Sequence, residues 1–103
     1  MLVHSNHTVV TRAVHIWAEE AETRVVWLAG CLARHLHGDW GDLDAEDRAA
    51  NEHALRHGQG RLLSAYELPA DLAGTTAERR LWVITDDLED PDTATTVLWP
   101  SDY

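Results

Sequence analysis

Apolar positions recur at helical spacing through the first half of the chain and at spacing of two through the second. Val10, Ala13, Val14, Trp17 and Ala21 mark a first helix, with Thr8 or Thr11 as its cap. Glu19, Glu20 and Glu22 oppose the dipole at its C-terminal end, so it should fray around residues 21–23. A second helix is predicted from Thr23 to Leu36. Val25, Leu28, Leu32 and Leu36 form its buried stripe, widened by Ala29 and Ala33, and Gly30 allows a close approach by a neighbour. Arg34, His35 and His37 suit the negative end of that helix, and Gly38 suits its C′ position. A third helix runs from Ala45 to His57 behind an Asp44 cap, with Asp47 in the capping-box position and Gly58 as its stop. Between the last two lies the turn His37-Gly38-Asp39-Trp40-Gly41-Asp42, where a large ring is expected to anchor a sharp bend.

Beyond Gly58 the period changes. Arg61 to Leu68, Arg80 to Thr85 and Thr95 to Trp99 read as strands, ended or separated by Pro69, a 70–79 loop bending at Gly74, an acidic 86–92 turn and Pro100. The expected architecture is one α+β domain over residues 1–103. Two or three N-terminal helices pack on a three-stranded antiparallel β-meander, and residues 1–8 form a mobile tail. The strands are apolar on both faces. The face away from the helices is expected to expose some of Leu63, Trp82, Ile84, Val97, Leu98 or Trp99, which favours homodimerisation there or across a strand edge.

Charge narrows the partners. Eighteen acidic residues against eight basic ones, all Arg, give a net charge of −10. That balance disfavours direct nucleic-acid binding and favours solubility or a basic partner surface. Five Trp in a domain of this size cannot all be fully buried, and an exposed ring among them would mark a contact surface. Cys31, the single cysteine, sits in an apolar helical run and reads as a small buried hydrophobe. The longest apolar run falls well short of the ~20 residues that span a bilayer. Met1-Leu2-Val3-His4-Ser5 has no charged leader, so a cytoplasmic protein with no membrane partner is expected.

Several segments together resemble a family of small bacterial proteins of plasmids and other mobile elements, called plasmid-related proteins and sometimes labelled restriction endonuclease subunits. They are Ala33-Arg34-His35-Leu36-His37-Gly38-Asp39-Trp40-Gly41-Asp42-Leu43, Asp44-Ala45-Glu46-Asp47-Arg48-Ala49-Ala50-Asn51, Arg61-Leu62-Leu63-Ser64-Ala65-Tyr66, Leu81-Trp82-Val83-Ile84-Thr85, Thr95-Thr96-Val97-Leu98 and Pro100-Ser101-Asp102-Tyr103. The resemblance covers residues 8–103, and the 70–79 loop and 86–92 turn depart from it. It implies an accessory role on a mobile element and no defined activity. A methyltransferase domain would not fit in this length, and no cofactor glycine loop is present.

Two functional readings follow. The leading one is an acidic protein-binding or anti-defence module that contacts a host protein or its own copy, through Asp39, Trp40, Asp47, Asn51, Trp82 and Trp99, with no cofactor and no metal. In its mimic form, the acids of 39–47 and 86–92 imitate DNA phosphates. The alternative is a small metal-independent nuclease or other phosphoryl-transfer enzyme. There His35 would act as acid or base, Arg61 would hold phosphate, and Ser64 and Tyr66 would supply hydroxyls. Thr85, Thr95 and Thr96 lie beside these positions. The same polar residues equally suit a network pinning the turn to the sheet. His53 and His57 are four apart on one helix face, but Ala54 stands where the zinc-protease motif has Glu.

Overall fold

The computed structural model describes residues 3–5 and 7–103. It is an α+β fold with element order β1 (His7–Val10), α1 (Arg12–Glu19), α2 (Glu22–Leu36), α3 (Ala45–His57), β2 (Leu62–Glu67), α4 (Ala70–Ala73), β3 (Arg80–Thr85) and β4 (Ala94–Leu98), closed by a 3-10 turn at Pro100–Asp102. The sheet is four-stranded and mixed, in the order β1-β4-β3-β2. β2, β3 and β4 are antiparallel neighbours, and β1 adds to β4 in parallel.

This corrects the expected three-stranded meander. Thr8-Val9-Val10 are β-formers, but Val10 also falls in phase with the helical series that follows, so the two periods overlap there. The helix begins only at Arg12. Nor do the described N-terminal residues form a tail: Val3 is buried against Trp40 and Leu62 and donates its amide to Leu36, and His7 and Thr8 belong to β1. Met1, Leu2 and Asn6 lie outside the described residues. α4, a single turn, interrupts the segment read as loop, and Gly74 follows it with φ 65°.

Caps decide where the helices stop. Asp44 accepts the amide of Asp47 at 2.8 Å, and Gly58 ends α3 in the left-handed region. Thr11 occupies the cap position of α1 without capping it; its hydroxyl donates to Asp102 at 2.8 Å, tying residues near the C-terminus to the end of β1.

Register assigns the two sheet faces. Leu62, Ser64, Tyr66, Leu81, Val83, Thr85, Thr95 and Val97 share the face covered by α1 and α2. Its core joins Val14, Trp17, Cys31, Tyr66, Leu81, Val83, Val97 and Trp99. A second cluster around Trp40, Ala54 and Leu62 fills the space under α3. On the opposite face Leu63 and Trp82 are half-buried while Ile84 and Leu98 are buried. Val97 and Trp99 are buried too, so neither offers an exposed surface. As expected, not every indole is fully buried: Trp17, Trp40 and Trp99 are buried, Trp27 and Trp82 half-buried, and none of the five is exposed. The stripe expected to bury α2 is also shifted. Val25 is half exposed, and Cys31 and His35 are the buried residues of that helix.

Two glycines make opposite predictions. Gly41 has φ 74°, and a Cβ there would lie 2.1 Å from the carbonyl oxygen of Ala65. Gly41→Ala should therefore destabilise the fold by about 3 kcal/mol or more, since both strain and a backbone clash arise. Gly30 is exposed within α2, and a Cβ added there would meet nothing within 4 Å, so no close approach requires it. Gly30→Ala should stabilise by roughly 0.5–1 kcal/mol. Urea denaturation of both variants checks the pair.

Candidate functional site

The turn between α2 and α3 is laid along β2. Gly38 (φ 83°) and Gly41 allow the chain to double back, so that the amide of Ala65 donates to the Trp40 carbonyl at 3.1 Å. The amide of Asp42 returns a bond to the Ala65 carbonyl at 2.7 Å. Trp40 is buried with its indole N–H on Glu52 at 2.9 Å and its ring edge-on to His35. Arg34 grips the Asp39 carboxylate with two bonds, at 2.7 and 3.2 Å, and lies over the Tyr66 ring. Tyr66 donates its hydroxyl to the Asp39 carbonyl at 2.6 Å. The hydrogen bond from Arg34 is the main reason the Asp39 carboxyl lies below its usual range.

Inside the sheet–helix interface, His35 bridges two strands. Its Nδ1 is 2.6 Å from the Ser64 hydroxyl and its Nε2 2.9 Å from that of Thr85, which in turn pairs with Thr95 at 2.8 Å. Hydroxyls of β2, β3 and β4 are thus joined through one imidazole on α2. A neutral ring with one N–H satisfies this chain in either direction. No described buried side-chain nitrogen or oxygen lacks a partner.

The Ser64–His35 spacing is that of a nucleophile and its base. However, His35, Ser64, Thr85 and Thr95 are all 0% exposed, and Tyr66 is 1% exposed. A substrate has no route to them without unfolding the interface. Arg61 lies at the surface, stacked on Tyr103 with its guanidinium bonded to the Tyr103 hydroxyl. His35 and Arg61 therefore share no open cleft, and Thr96 is on the opposite sheet face from the network. Burial also lifts the Tyr66 hydroxyl above its usual range and raises the Cys31 thiol to about 12, so neither ionises near neutrality.

The expected binding residues disperse likewise. Trp40 and Trp99 are buried, Trp82 lies edge-on to Tyr103 on the far face, and Asp39 is held by Arg34. Asp47 is exposed on the first turn of α3. Asn51 is buried and behaves as an extra strand: it donates to the Leu63 carbonyl at 2.7 Å and accepts the Leu63 amide at 3.1 Å. The rings of His53 and His57 lie 4.3 Å apart and tilted by 59°, and among the described residues no group of three metal-binding side chains forms.

The two sheet edges differ sharply. Every outward amide of β2 has a partner: Leu63 on Asn51, Ala65 on Trp40 and Glu67 on the Asp42 carboxylate. β1 is exposed along its length. Thr11 donates its amide to Val97, so by alternation His7 and Val9 also face β4. The amides and carbonyls of Thr8 and Val10 then point outward, and no described residue reaches them. Beside this edge is an open, almost wholly apolar groove of about 300 Å³, lined chiefly by Val10, Ala18, Val25, Leu28, Leu32 and Val97. Sequence reasoning missed this site. Its signal lies in the β-branched run Thr8-Val9-Val10 and in the Val25–Leu28–Leu32 stripe, whose spacing is the same for a core and for an open groove.

Comparison of the chain with models of known protein families, with curated proteins and with solved structures gives no match.

The buried imidazole sets a pH dependence. Desolvation lowers the His35 pKa from 6.5 to about 4. The unfolded chain takes up this proton as pH falls through 6.5, whereas the folded one does so only near 4. The contribution is therefore whole above about pH 6.5 and is lost on acidification to about pH 4, by roughly 3 kcal/mol. His35→Gln should be less stable at neutral pH yet lose less between those values. Urea denaturation of both proteins across the range measures the difference.

Proposed function

We propose that the protein is a small acidic protein-binding module that receives an extended segment of its partner along β1. The observation that supports this reading is the contrast between edges: β2 is closed bond by bond, while β1 is open beside an apolar groove. An unprotected edge offers ready backbone donors and acceptors to another chain. Strand addition there gives affinity through Thr8 and Val10, and alternate side chains of the added strand enter the groove. β1 contains no Lys, Pro or acid to discourage such pairing. The resemblance to plasmid-related proteins supports an accessory or anti-defence role on a mobile element, with a host or self protein as partner.

The phosphoryl-transfer alternative has little support, because its base and hydroxyls are sealed from solvent while its Arg is not. The DNA-mimic form fares no better: Asp39 and Asp42 commit carboxylate oxygens to Arg34 and to the Glu67 amide.

The test uses the tagged protein as bait in extract of its native host. Val25→Glu places a charge in the groove at a half-exposed position and should leave melting unchanged within about 0.5 kcal/mol. Proteins held by the wild type should be lost from this variant, as read by mass spectrometry. Equal retention by both would overturn the reading.

A further inference from the structure

We infer that the segment received by β1 is β1 of a second copy, paired antiparallel about a two-fold axis at Val9; this rests on the edge-binding reading above. The ladder fixes the register. With Thr8 and Val10 presenting their outward groups, Thr8 faces Val10 of the other copy in a hydrogen-bonded pair, and the symmetric pair forms beyond the axis. Val9 then meets its own counterpart in the non-hydrogen-bonded position between them, where side chains approach most closely. Thr8 and Val10, which line the groove, keep their copies on that same face, so the two grooves adjoin across the new ladder.

Charge complementarity selects a second copy despite the net charge of −10. Two acids close to β1 are already engaged, Asp102 by the Thr11 hydroxyl and the Trp99 amide and Glu19 by His15. Beyond them the 86–92 turn carries five acids and leads into β4, where Ala94 stands beside His7. Ser5 binds the Thr93 carbonyl at 3.0 Å, which seats that end of β1 against the turn. At the other end of β1 stands Arg12, exposed and without an ion pair among the described residues. Antiparallel pairing brings each Arg12 to the acidic turn of the opposite copy. Arg12 opens α1 two residues after β1 ends. In the paired arrangement β1 lies about 10 Å from β4 of the other copy, two ladder spacings away, within joint reach of an Arg and a carboxylate. The groove-lining residues carry one acid, Glu19, at the rim beside His15, to which it is paired at 2.8 Å. A four-residue ladder with adjoining grooves is small beside the roughly 1,200–2,000 Å² of standard interfaces, so association should be concentration-dependent.

Sedimentation velocity from low micromolar to near-millimolar concentration reads the outcome, with the thermal melt of each variant confirming the fold. The wild type should pass from one-chain to two-chain mass. Val9→Glu and Val9→Lys each set like charges against one another at the axis, and each should raise the dissociation constant by about tenfold or more. An equimolar mixture of the two should recover two-chain mass, because opposite charges then meet. Arg12→Glu should weaken the dimer about tenfold. One-chain mass for the wild type throughout overturns self-pairing; in that case loss of captured proteins by Val25→Glu would still uphold the edge-binding reading with another partner. Two-chain mass in both Val9 variants alone, a mixture that does not recover, or an unchanged Arg12→Glu dimer also overturns the arrangement.

Discussion

The reciprocal bonds between Ala65 and the Trp40–Asp42 backbone are the constraint on which the rest depends. They make the turn between α2 and α3 an added piece of sheet, though it has only one bridge to β2. Because that turn is fixed, Trp40 is carried under α3 and its ring reaches His35. Because α2 ends where it does, His35 meets the hydroxyls of Ser64 and Thr85. Glycine at 41 is the condition for all of this, since any Cβ would occupy the space of the Ala65 carbonyl.

Polar residues in this interface are buried and bonded to one another across α2, β2, β3 and β4. An imidazole in a sheet–helix core costs desolvation, which is why its pKa falls. The cost is offset by bonds at both nitrogens and by continuation of the chain to Thr95. Such a network tolerates one geometry only, because a shift of α2 by one residue would leave the hydroxyls and the ring without partners. The same residues, if open to solvent, would resemble a Ser–His catalytic pair. Exposure separates the two, and exposure is set by packing rather than by residue type.

That distinction explains which features are legible in the sequence. Asp44, Gly38 and Gly58 act locally, so the ends of α2 and α3 can be read from neighbouring residues alone. The alternation of Leu62 to Glu67 and the β-rich Leu81 to Thr85 likewise reveal two strands. β1 is hidden because a four-residue strand runs directly into a helix whose apolar phase begins at Val10. Its pairing partner, β4, lies more than eighty residues away, so nothing local marks it. Asn51 stands out as a polar residue near the turn, but its role as the missing strand of β2 depends on the seating of α3. Val25, Leu28 and Leu32 have helical spacing whether they face a core or an empty groove; periodicity gives a face and not its cover.

Net charge alone does not describe what an approaching chain would meet at one edge of this molecule. Its acids concentrate in the 86–92 turn and on the first turn of α3, with others along the exposed helix faces. At physiological ionic strength, repulsion between exposed charges is screened beyond roughly 8 Å. What a neighbouring chain meets along β1 is therefore decided by groups within a side chain's length. Those groups are the outward backbone of Thr8 and Val10, the side chains of His7 and the valines, Arg12 with Asp102 held on the neighbouring Thr11, and Glu19 paired with His15 at the groove rim. A sheet that closes β2 with an Asn, a turn and a carboxylate, yet leaves β1 open, would confine any edge pairing to one side. Closed two-fold pairing through that edge would also use up the open strand, so the chain would stop at two copies instead of extending into a filament.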